Sequence, residues 1–188
     1  MRTLLLPLLL ALAACTSAPP AAPKAPEIPT FATTTPKPRT QRTLPTTCAK
    51  VLTRADLDAT VDTVITGRTE VVAGVALPKI GRTGRLDCYY GIPQNQPATA
   101  AVLTVGMAAY TDSTAAAQRI QETVDTERDN GIAPEEIQVG LDKGFLLDGT
   151  TRTVVVAHGK ITVSVSAQPS LATAEQVAKL ADLALTER

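Results

Sequence analysis

Between Thr16 and Thr46 the chain carries eight prolines set among alanine and threonine, and its bulky apolar residues there, Ile28, Phe31 and Leu44, stand isolated. A stretch of that composition cannot bury enough apolar surface to offset the entropy lost on ordering it. The expectation is a disordered, partly polyproline spacer over residues 15–46. Folding is then confined to residues 47–188, a length of 142 residues that suits one domain with its own core.

The segment ahead of the spacer suggests an address. Arg2 precedes an apolar run from Leu4 to Ala14, too short to span a bilayer and suited to a secretory signal peptide over residues 1–14. The run ends in Leu12-Ala13-Ala14-Cys15, the pattern of a lipobox: small residues lie extended in a peptidase groove, and the Cys15 thiol can take a diacylglyceryl group. Ala11-Leu12-Ala13 also satisfies the Ala-x-Ala cleavage pattern, so an ordinary signal peptide is the alternative. Two or more acyl chains, at about 0.8 kcal/mol per buried CH₂, make a stable anchor. The expected location is the extracytoplasmic face of the cell membrane, with the membrane itself as a partner through Cys15.

Charge excludes one class of partner. Residues 47–188 hold 13 basic and 17 acidic residues, net −4, whereas nucleic-acid binding rests on clustered cations. The spacer carries Lys24, Lys37, Arg39 and Arg42 against Glu27, a balance that would favour anionic headgroups and is equally met by solubility. An envelope protein, a wall component or a lipid remains as partner. Of the three cysteines, Cys15 is taken by lipid, and Cys48 and Cys88 are left in an oxidising compartment, where they are expected to pair. Two cysteines with no neighbouring histidine lack the ligands for a metal site. No metal and no cofactor is expected.

Local signals then place the elements. Thr53 and Asp56 have capping-box spacing inside a Leu52/Leu57 staple, and Leu57, Val61, Val64 and Ile65 continue one helical face as far as Gly67. Residues 70–77, 86–90 and 98–110 are expected as strands, and 113–129 as a helix showing Ala116, Ile120 and Val124 to the core and ending at Asn130-Gly131. Residues 152–157 and 160–167 flank His158-Gly159; a two-residue loop there pairs Val156 with Ile161 and Val154 with Val163, on one face with Val165. His158, the single histidine, falls at a turn position that favours positive φ. A closing helix begins at Ala174, capped by Thr173 with Gln176 and presenting Val177, Leu180, Ala181 and Ala184. The fold class expected is α+β, an antiparallel sheet with helices packed on one face and one disulfide.

Three short motifs, Cys48-Ala-Lys-Val-Leu-Thr53, Cys88-Tyr-Tyr90 and Val139-Gly-Leu-Asp142, resemble those of a group of uncharacterised actinobacterial cell-envelope lipoproteins and, more distantly, of the extracellular sensor domains of mycobacterial kinases. The resemblance covers most of residues 47–188. Departures are Tyr90 where that group has Trp, and no Gly between Leu141 and Asp142. The resemblance implies an envelope lipoprotein with a disulfide between the two matching cysteines. It brings no catalytic residues with it.

The residues themselves offer no common catalytic set. One histidine at a turn, no nucleophile elbow and no lysine partner at a recognisable spacing argue against an enzyme, with an envelope hydrolase as a minor alternative. Asp125, Glu127, Asp129, Ile132 and Glu136 match positions 1, 3, 5, 8 and 12 of an EF-hand loop, but Asn130 replaces its glycine and Pro134 falls inside it. The alternative is that these acids form the solvated end of a helix. Tyr89, Tyr90 and Tyr110 are the candidate binding residues, as aromatics near strand ends, or else core. The expected function is non-catalytic binding, sensing or accessory work; carriage of an apolar ligand or lipid between sheet and helices is the alternative.

Overall fold

The computed structural model describes residues 41–187. Chain order is α1 (Arg54–Thr60), β1 (Arg68–Gly74), β2 (Arg82–Ile92), β3 (Leu103–Tyr110), α2 (Ser113–Asp129), β4 (Pro134–Val139), β5 (Asp142–Asp148), β6 (Arg152–His158), β7 (Ile161–Ala167) and α3 (Ala174–Leu185). The strands form one antiparallel sheet in the order β1-β2-β3-β7-β6-β5-β4. The expected α+β class is what the chain adopts. After laying down β1 to β3, the chain crosses to the far edge through α2 and returns by three hairpins until β7 closes against β3. A helix of 17 residues is about 25 Å long, enough to cover the roughly 19 Å from β3 to β4 at the usual strand spacing.

The side chains of β5 and β6 decide where the helices go. Leu146, Val154 and Val156 point to one face and join Ile161, Val163 and Val165 in the main core, which α3 covers with Val177, Leu180, Ala181 and Ala184. Phe145, Leu147, Val155 and Ala157 point the other way, and α2 lays Ile120 and Val124 on them. The expectation of helices on one face therefore holds for α1 and α3, while α2 lies on the opposite face. Strands apolar on both sides need cover on both.

Three local expectations are corrected. The first helix stops at Thr60: Val61 is extended, and Val64 is 62% exposed although Val61 and Ile65 are buried. The run Thr60-Val61-Asp62-Thr63-Val64-Ile65-Thr66 is mostly β-branched and loses side-chain freedom in a helix. Gly67 is not a helix cap but lies against the Ile92 carbonyl at φ +105°, where an added Cβ would sit 2.5 Å from that oxygen. The β6–β7 loop is Gly159-Lys160, not His158-Gly159, so Val156 pairs with Val163 and Val154 with Val165. Gly159 takes the left-handed conformation at φ +54°, leaving His158 as the last residue of the strand. Each partner moves by two residues, and an even shift keeps every valine on its expected face. Strand ends move as well: β1 stops at Gly74, β2 runs from Arg82 to Ile92, and Ala98–Ala100 is a 3₁₀ turn before β3.

The domain also takes hold of the chain earlier than residue 47. Arg42 is buried, and its guanidinium donates to the carbonyls of Ala184 and Lys50. A cation there meets the unsatisfied carbonyls at the end of α3. Nearby, Cys48 and Cys88 form the expected disulfide, and the Tyr90 hydroxyl donates to the Cys48 carbonyl at 3.0 Å. Bridge and hydrogen bond together fasten the entry of α1 to β2. The residues of the expected signal peptide, Cys15 and the expected spacer as far as residue 40 lie outside the described residues.

Candidate ligand groove

The α3 capping box sets the helix phase: the Thr173 hydroxyl accepts from the Gln176 backbone while the Gln176 side chain accepts from that of Thr173. With Val177, Leu180, Ala181 and Ala184 turned to the sheet, the neighbouring stripe is Ala174, Ala178 and Asp182, spaced one turn apart. Two alanines keep that flank low. Between it and β4 runs an open groove of about 600 Å³, floored by Ile137, Leu146, Ala174 and Ala178. That volume lies in the range of small-ligand sites. Glu135, Glu175 and Asp182 against Lys179 make the rim acidic on balance. The Glu175 carboxyl is held below its ordinary value of 4.5 by its own backbone N–H and then by the Thr173 hydroxyl, so it stays ionised near neutrality. Among the described residues the outer edge of β4 has no strand partner.

Such an arrangement can hold a ligand but offers little for group transfer, because no serine, threonine, cysteine or histidine lines the groove. His158 lies elsewhere, with Nδ1 2.9 Å from Asp142 Oδ1. A carboxylate orienting an imidazole is the inner part of a nucleophilic triad. Among the described residues no hydroxyl or thiol hydrogen-bonds that ring. This pair could not be found in the sequence, since Asp142 meets His158 only through the β5–β6 pairing, and β4 and β5 were not delimited there.

The other candidate residues are dispersed. Tyr90 and Tyr110 are buried on opposite faces of the sheet, in the main core and beside Ala108 and Ala116 respectively. Tyr89, which immediately precedes Tyr90, is half-buried and belongs to neither. None of the three lines the groove. Asp125 and Asp129 sit within α2, where Asp125 pairs with Arg128 at 2.6 Å, while Glu136 lies on β4 and pairs with Lys143 at 2.7 Å. That pairing lifts the Lys143 ammonium above its ordinary value, first through the hydrogen bond and then through the charge of Glu136. Helix and strand geometry pull the EF-hand positions apart, and no metal-binding cluster occurs among the described residues.

The groove residues were missed because β4 carries only a weak alternating pattern and its neighbour α3 is 40 residues further along. Fold and groove together define an α+β domain with a cleft between an edge strand and a helix. Comparison of the chain with protein-family models, curated proteins and solved structures finds no match.

Proposed function

We propose that this chain is a lipid-anchored protein of the extracytoplasmic face of the cell membrane, and that its domain binds rather than catalyses. The ligand we propose for the α3–β4 groove is an extended segment of an envelope protein, with apolar side chains and at least one basic residue. The observation that carries this reading is the groove itself: an apolar floor, an acid-weighted rim and an unpaired strand edge side by side. An extended chain can add to such an edge while alternate side chains enter the floor. Anchorage rests on the sequence around Cys15, and a Cys48–Cys88 bridge accords with an oxidising compartment. Carriage of an apolar ligand is less well supported, since Val177, Leu180, Ala181 and Ala184 fill the space between α3 and the sheet.

One experiment addresses both halves. The full chain, carrying a photo-crosslinking residue at Ala178, is expressed in its own envelope and irradiated. It is expected to fractionate with membranes and to crosslink through a segment containing Lys or Arg, with the adduct lost in Glu175→Lys and the chain released from membranes in Cys15→Ala. An adduct that persists unchanged in Glu175→Lys overturns the groove, and a Cys15→Ala chain still held in the membrane fraction overturns the anchor.

A further inference from the structure

On the opposite face of the sheet, α2 bridges a second cavity of about 240 Å³ over β2, β3 and β7. Three arginines border it, Arg82 and Arg85 from β2 and Arg119 from α2, together with Thr123, Thr162 and Ser164. In a domain with more acidic than basic residues, three guanidinium groups around one small cavity repel one another, and their partners inside the protein offset this only in part. Asp87 pairs with Arg85 at 2.8 Å. Glu122 meets Arg119 at 3.3 Å with both side chains nearly half exposed, an arrangement that water largely screens. The Nε–H of Arg82 is buried and makes no hydrogen bond within the protein, and its Nη2 reaches the Val75 carbonyl only at 3.4 Å. A buried donor in that state gains from an acceptor brought to it.

We propose that this cavity is an oxyanion site that takes the phosphate group of a small phosphomonoester. Guanidinium forks match the spacing of phosphate oxygens, and the Thr162 and Ser164 hydroxyls supply further donors of the neutral kind. Gly106 lies in the cavity wall, where an added Cβ would come within 3.0 Å of Asp87 Oδ1 and displace the carboxylate that orients Arg85. The volume admits a phosphate with a few attached atoms rather than a large ligand. This site is separate from the α3–β4 groove and does not depend on the function proposed for it.

The test is calorimetric titration of the full chain with inorganic phosphate, glycerol 3-phosphate and short-chain phosphatidic acid. Binding is expected for phosphate and for at least one ester, to weaken as salt rises, and to fall about tenfold in Arg119→Gln, whose side chain is half exposed and not needed for the core. Lys143→Gln, on β5 and away from the cavity, should leave it unchanged. Tighter binding of phosphatidic acid than of glycerol 3-phosphate assigns a lipid headgroup as the source; the reverse assigns a soluble ester. The proposal is overturned if millimolar phosphate gives no binding, or if Arg119→Gln and Arg85→Gln both bind as the unsubstituted chain does.

Discussion

The two faces of the sheet are built differently. Under α1 and α3 lies one continuous core of 26 buried residues that includes the disulfide and reaches from Cys48 to Leu185. Under α2 the buried apolar residues fall into two small groups, Ile120 with Val124, Leu147 and Val155, and Ala108 with Tyr110 and Ala116. Between and beside them stand Thr162, Ser164, Asp87 and the three arginines. The β7 residues show the contrast most simply: Ile161, Val163 and Val165 face the large core, and Thr162, Ser164 and Ser166 face the α2 side. Stability should therefore reside chiefly on the first face. The second can present polar groups at a small cost to the fold.

Truncation on each face is the strongest way to break this comparison. Leu180→Ala, at a fully buried position in the large core, should cost about 4 kcal/mol in urea unfolding. Ile120→Ala, in a group of four beside an open cavity, should cost about 2 kcal/mol. Equal losses would mean that the α2 face carries as much of the fold as the other. Between these lies the disulfide: Cys88→Ser should remove about 3 kcal/mol and lower the thermal midpoint by several degrees while far-ultraviolet circular dichroism is retained. Two reactive thiols in the oxidised, unfolded wild-type chain would refute the clamp altogether.

The smallest effect is electrostatic and belongs to the α2 face alone. Asp112 caps α2, and its carboxyl is held below the ordinary 3.8 chiefly by the Ala115 backbone N–H and then by the Thr111 hydroxyl. A carboxyl whose folded value is depressed adds stability above its unfolded value, and loses that contribution as pH falls through the folded one. Asp112→Ala should hence destabilise the chain at about pH 7, with the difference shrinking toward about pH 2. Urea midpoints measured at both pH values decide it; a difference that stays constant in acid would show that charge plays no part in the cap.

How far the sequence could be read depended on how local each signal was. The bounds of α2, the start of α3, their buried stripes and both threonine capping boxes follow from residues within three or four positions of one another, and the structure has them where those residues place them. Pairing of Cys48 with Cys88 followed from counting cysteines once one was set aside. In the β6–β7 hairpin the alternation of valine with threonine and serine determined which side chains share a face, because that pattern has a period of two. It did not determine the register, which Gly159 decided by taking the left-handed conformation one position later than the loop length alone suggested.

What only the tertiary structure decided is what depends on distant partners. The side on which α2 packs was set by the double-faced strands β5 and β6. Burial of Arg42 needed the end of α3, 142 positions away, and the His158–Asp142 pair needed the β5–β6 ladder. Both cavities arise in the same way, one from α3 beside β4 and one from α2 over β2, β3 and β7. Side-chain period and capping are properties of a short stretch of chain. A groove is a property of two stretches brought together by a sheet that closes only when its last strand meets its third.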